Sequence, residues 1–106
     1  MIYVISAVGT EYVKIGIAKN PIKRMNDLQI GVPMLLVLIA VADWPHAMEK
    51  RIHRVLADHR VRGEWFANCD KIASMINHMQ RGVSADIWLA TLLPPSRLAK
   101  VLAIKP

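Results

Sequence analysis

Tyr3 and Lys14 are the first residues along the chain whose types and spacing allow chemistry together. The segments Ile2 to Ala7 and Tyr12 to Ala18 are rich in Val, Ile and Tyr, and the turn-forming stretch Val8-Gly9-Thr10-Glu11 lies between them, which predicts a hairpin. Pairing Ala7 with Tyr12 sets Ile5 opposite Lys14 and makes Tyr3 and Lys14 diagonal neighbours on one sheet face. A phenol there can act as, or relay to, a general base, and the adjacent cation favours phenolate. Tyr12 shares that face two residues from Lys14 and is a reserve phenol, although half-buried strand packing explains both tyrosines as well.

Glu49 is the second feature. At 100° per residue it stands beside the stripe Met48, Ile52 and Leu56, at the lip of the buried face of a helix. His53 lies one turn later and His46 one turn earlier, a His-x-x-Glu-x-x-x-His array. That spacing is not the His-Glu-x-x-His of zinc proteases, and hard carboxylate and water ligands suit Mg²⁺ or Mn²⁺ better than Zn²⁺. His53 is read as a group that assists a phosphate or orients a water. An ordinary salt-bridged surface, with Glu49 paired to His53 or Arg24, is the alternative. Arg24 can clamp two phosphate oxygens with a planar guanidinium where Lys23 beside it offers a point charge; alone, it reads as one more solvated helix cation.

These residues need a scaffold. Asn20-Pro21 starts a first helix with Ile22, Met25 and Leu28 as its apolar stripe, stopped by Gly31 and Pro33. The run Met34 to Ala42 reads as a buried central strand, after which Pro45 opens a second helix with Met48, Ile52, Val55 and Leu56 inward, ending near Arg60 to Gly63. Glu64-Trp65-Phe66 is a short extended or turn piece in which Trp65 and Phe66 pack. Asn68 caps a third helix carrying Ile72, Met75, Ile76 and Met79. Residues 1–82 then form the domain, and 83–106 an apolar helical appendage in which Ser84 caps a turn, Pro94-Pro95 break it and Ser96 starts a short helix. Ile87, Trp88, Leu89, Leu92 and Leu93 are too apolar for a linker, so the appendage either packs back or pairs two copies into a homodimer.

Composition narrows the partners. With 106 residues, 54% hydrophobic and 21% charged, the chain can bury one core, and its net charge of +6 attracts polyanions, nucleic acid or an anionic membrane surface above all. The lone Cys69 forms no internal disulfide, and no apolar run reaches the roughly 20 residues needed to span a bilayer. A cytoplasmic setting without membrane insertion is expected. Lys19, Lys23, Lys50, Arg51 and Arg54, with Arg60 and Arg62, are the candidate phosphate-tracking surface. Cys69 and His78 are too isolated for a zinc site.

Ile2-Tyr3-Val4, Val13-Lys14-Ile15-Gly16, Asn20-Pro21, Arg24, Leu28-Gln29, Glu49, His53 and Gly63-Glu64-Trp65-Phe66, in this order, resemble the GIY-YIG nuclease superfamily, and in particular its phage-type branch with Lys-Ile-Gly in the second motif. The chain departs from the name-giving motifs at Ile2 and at Lys14, which replaces the second tyrosine. The resemblance covers about three quarters of the chain. It implies an α+β fold with a small three-stranded antiparallel sheet flanked by helices, a catalytic arginine at Arg24, a metal ligand at Glu49 and a signature of unspecified task at Glu64 to Phe66. The expected function is a metal-dependent endonuclease acting on nucleic acid, DNA in preference to RNA. One Mg²⁺ or Mn²⁺ at Glu49 would work with Tyr3, Lys14, Arg24 and His53 as the catalytic group. A nucleic-acid-binding module of the same fold without catalysis, or a protein-interaction module, would show the same composition.

Overall fold

The computed structural model describes residues 1–93. Strand β1, Ile2–Ala7, and strand β2, Tyr12–Ile17, form the expected hairpin, with Ile5 opposite Lys14 and Tyr3 opposite Gly16. Helix α1, Pro21–Gln29, starts where Asn20 Oδ1 accepts the Lys23 backbone N–H at 3.0 Å and Pro21 takes the first helical position. Met25 and Leu28 pack inward, but Ile22 remains 62% exposed, so the stripe is narrower than the spacing predicts.

Strand β3, Leu36–Ala42, pairs antiparallel with β1 and lies at the sheet's edge rather than its centre. Its apolar run reflects cover on both faces, by α1 on one side and by helix α3, Asp70–Gln80, on the other. Helix α2, Met48–Val55, begins three residues after Pro45 and is shorter than expected, because the chain turns through one 3₁₀ turn, Ala57–His59, into strands β4, Arg60–Arg62, and β5, Trp65–Ala67. The sheet is therefore five-stranded, in the order β3-β1-β2-β5-β4, and the α+β class holds while the three-strand count does not. Three-residue strands are too short to carry a period of two that sequence reading can detect.

The N-cap of α3 is Cys69 rather than Asn68, whose Oδ1 instead accepts the Cys69 N–H at 3.0 Å. Helix α4, Ala85–Thr91, follows. Its Trp88 is fully buried and stacks 6.2 Å from Trp44 within the main core, with Leu89 and Leu92 partly packed and Ile87 exposed. The expected break at Pro94-Pro95 and the helix from Ser96 lie outside the described residues.

The sheet separates two apolar layers. One holds α2, α3 and α4 over Val4, Val13, Ile15 and Phe66; the smaller one holds α1 over Tyr3, Ile5, Ala7 and Leu36. Among the described residues no helix is long and apolar enough to cross a membrane.

Candidate active site

The site forms where the sheet is interrupted. Strand β5 pairs with β2 only over Tyr12, Val13 and Lys14, so the outer edge of β2 past Lys14 has no strand beside it. Ile15 uses that edge in another way: its N–H donates to the Glu64 carbonyl at 3.0 Å, and its C=O faces His53 Nε2 at 2.9 Å. A carbonyl only accepts, so Nε2 carries the proton and Nδ1 keeps a lone pair for a cation or a proton. Burial of Met48, Ile52 and Leu56 below rolls Glu49 and His53 to this gap, and the His53 ring rests 5.1 Å from Phe66.

Glu64 arrives from the opposite direction. Gly63, at φ +56°, makes the left-handed turn between β4 and β5 and delivers Glu64 beside β2. Its Oε1 lies 3.0 Å from Lys14 Nζ, and that ammonium stands 5.7 Å from the centre of the Trp65 ring. Glu49, His53 and Glu64 each bring a ligand atom to within 4.8 Å of the other two. Two carboxylates and an imidazole at such separations fit one divalent cation.

Tyr3 completes the cluster from β1. It is fully buried, and its ring lies over Gly16: a Cβ at position 16 would stand 2.5 Å from the hydroxyl oxygen, 2.8 Å from Cζ and 2.9 Å from Glu64 Oε1. Glycine is required here by close approach, not by backbone angle. Arg24 on α1 faces the hydroxyl, and its N–H groups and charge both favour phenolate. Burial is the larger influence, and the Glu64 and Glu49 charges add to it, so the phenol is pushed above its usual value. The expectation that Lys14 depresses the Tyr3 pKa is thereby overturned. Lys14 is engaged by Glu64, and the cation acting on the phenol is Arg24.

Glu49 is raised above the ordinary carboxyl value, first by burial and then by the Glu64 charge and a shared hydrogen bond, against the pull of His53 and Lys14. It has no ion pair among the described residues, so the salt-bridged surface expected as an alternative is not what the structure contains. A carboxyl whose pKa rises on folding binds its proton more tightly in the native state. Its stabilising contribution is complete below the unfolded value and is lost as pH rises through the folded one. In chelator, Glu49→Gln should therefore melt close to wild type near pH 4 and increasingly above it toward pH 7; a melting difference independent of pH would contradict this electrostatic account.

Tyr3, Lys14, Arg24, Glu49 and His53 thus converge, with Glu64 as a sixth member. Sequence reading left Glu64 without a task; an acidic residue directly before an extended piece that pairs next to Lys14-Ile15-Gly16 was the signal available. His46 falls outside the cluster, because α2 starts at Met48 and His46 lies in the preceding turn. Tyr12, exposed and two residues before Lys14 on β2, flanks the cluster rather than joining it, because Tyr3 stands opposite Gly16, four residues further along the strand. Lys19, Lys23, Lys50, Arg51 and Arg54 are exposed on the β2–α1 loop, α1 and α2. Lys23 meets Asp27 at 3.1 Å, and Arg51 meets Asp86 at 3.9 Å, surface pairs that leave both cations accessible to phosphate.

No curated protein and no solved structure matches the chain. The model of the T5orf172 domain matches residues 1–80, a span that holds every member of the cluster. The likeness to the GIY-YIG superfamily is met at the level of this related domain, and its association with nucleic acid agrees with the basic charge. The chain belongs to the T5orf172 domain family, whose domain occurs in phage-type and GIY-YIG-related endonuclease-like proteins.

Proposed function

We propose that the protein is a metal-dependent endonuclease that hydrolyses a phosphodiester bond, with DNA preferred over RNA. The observation that carries this reading is the meeting of Glu49, His53 and Glu64 beside the Tyr3–Arg24 pair in a basic member of this family. Glu49, His53 and Glu64 would hold one Mg²⁺ or Mn²⁺. When bound, such an ion polarises a phosphoryl oxygen and lowers the pKa of its water.

The chain's own groups have distinct tasks. Arg24, exposed on α1 yet facing the site, offers a forked set of donors to a phosphate as its charge grows. Lys14, 8% exposed, supplies a cation shielded from bulk water, where it acts on a phosphate more strongly than a surface lysine. Tyr3 is held neutral by burial, so its hydroxyl donates to or orients a water or phosphate oxygen rather than serving as a standing phenolate. His53, fixed through Nε2 on the Ile15 carbonyl, presents Nδ1 in a set orientation.

The direct test is incubation of supercoiled plasmid and of RNA with the protein in Mg²⁺, Mn²⁺ or chelator. Nicking of the plasmid in metal and its absence in chelator are expected; an intact plasmid in both would reduce the protein to a binding module. Affinity for nucleic acid should also fall steeply with salt, since each neutralised phosphate releases counterions and contributes about −0.9 to the slope of log K against log salt for duplex DNA. A salt-independent affinity would remove the basic surface from the account.

A further inference from the structure

Beside the cluster, on the face of the sheet that carries Tyr3 and Lys14, lies an open cavity of about 230 Å³. Three of the chain's exposed large apolar side chains, Tyr12, Met34 and Val61, converge on it, and Trp65 and Val32 complete the wall. Arg62 is the one charged side chain at its rim. Exposed apolar groups scattered singly need no explanation, but their convergence in one concavity with two aromatic rings does.

We propose that this cavity receives an unpaired nucleobase of the strand whose phosphate lies at Lys14, which makes the protein selective for nucleic acid with unpaired nucleotides at the point of attack. The inference rests on the nucleic-acid reading above but not on cleavage. Three observations favour a base over another apolar occupant. The cavity and the phosphate-handling residues are continuous: Trp65 pairs opposite Lys14 across β2 and β5, and the Lys14 ammonium stands 5.7 Å from that ring. Tyr12 is two residues from Lys14 on the same face, about 7 Å along the strand, within one nucleotide's reach of the cluster. The walls supply aromatic faces with almost no hydrogen-bonding groups, which suits stacking of any base rather than reading of a particular one. A base inside a duplex is already stacked and cannot enter without being extruded, so unpaired or easily unpaired nucleotides are favoured.

The experiment is equilibrium binding in chelator, so that no cleavage is involved, of short oligothymidylate, an abasic strand of the same length and a blunt duplex. Intrinsic fluorescence reports occupancy, since Trp44 and Trp88 are buried and Trp65 is the partly exposed tryptophan. Oligothymidylate should quench Trp65 and bind roughly tenfold more tightly than the abasic strand, in line with the stacking contribution of one base. Tyr12→Ala should remove that advantage and leave abasic affinity and melting temperature unchanged, and Tyr12→Phe should retain it. Equal affinity for the two strands, or equal weakening of both by Tyr12→Ala, overturns the base pocket while the nucleic-acid reading stands. Binding of neither strand nor duplex overturns both.

Discussion

Glu49→Gln is expected to abolish cleavage while leaving the fold and most of the nucleic-acid affinity in place. The substitution keeps the side chain's size at the lip of α2 and deletes only the charge and one ligand oxygen. Loss of the stabilisation that an ion held by Glu49 would give the reacting phosphate is expected to cost on the order of 10²- to 10³-fold or more in rate. Affinity should change little, because on this reading it comes from Lys19, Lys50, Arg54 and the other exposed cations, none of which forms an ion pair with Glu49. The same substitution relieves the repulsion between the Glu49 and Glu64 carboxylates, so the variant loses activity without losing stability. Plasmid nicking, filter binding and thermal melts on one preparation separate the three effects. Nicking at the wild-type rate would remove Glu49 from the metal site.

Gly16→Ala is expected to damage both stability and cleavage. The added methyl would approach the Tyr3 hydroxyl oxygen to 2.5 Å and Glu64 Oε1 to 2.9 Å. The Tyr3 ring is fully buried and cannot swing aside, so the strain falls on packing; overfilling of this kind costs about 1–3 kcal/mol, or roughly 4–8 °C in melting temperature per kcal/mol for a domain of this size. Cleavage should fall with it, since Tyr3 and Glu64 are both displaced. Tyr3→Phe removes the closest atom, so Gly16→Ala should cost less in that background than in wild type, though Cζ at 2.8 Å keeps part of the penalty. Additive losses in the double variant would show that the clash lies elsewhere.

Both expectations depend on an arrangement that was only half legible in the sequence. The hairpin register followed from loop length alone, because Ala7 and Tyr12 bracket a tight turn, and Tyr3 and Lys14 came to one face as a result. The stripe of α2 likewise put Glu49 and His53 at the lip of the core. These are local rules, decided by neighbours within one or two turns. The position of Glu64 is not local. It depends on the Gly63 turn and on a three-residue strand that stops at Lys14, and nothing in the residues from Gly63 to Ala67 says which strand they join. The edge position of β3 was hidden for a related reason: a continuous apolar run reports cover on both faces but not the number of strand neighbours. Trp88 fills the core below Trp44 while Ile87 on the same helix stays exposed, a long-range packing choice that an amphipathic pattern leaves open.

The interrupted edge of β2 explains why the parts meet. Had β5 continued past Trp65, its backbone would take the Ile15 carbonyl, and His53 would lose its anchor at 2.9 Å. A short strand thus leaves room for α2 to bring Glu49 and His53 to a sheet that supplies Tyr3 and Lys14, beside the turn that delivers Glu64.

The most direct measurement is a calorimetric titration of Mn²⁺ into the metal-free protein at neutral pH, without nucleic acid, for wild type, Glu49→Gln and Glu64→Gln. If Glu49, His53 and Glu64 hold the ion together, wild type takes up one Mn²⁺ per chain and each variant binds it at least tenfold more weakly. Equal Mn²⁺ binding by all three proteins, or no binding by wild type, would contradict the account.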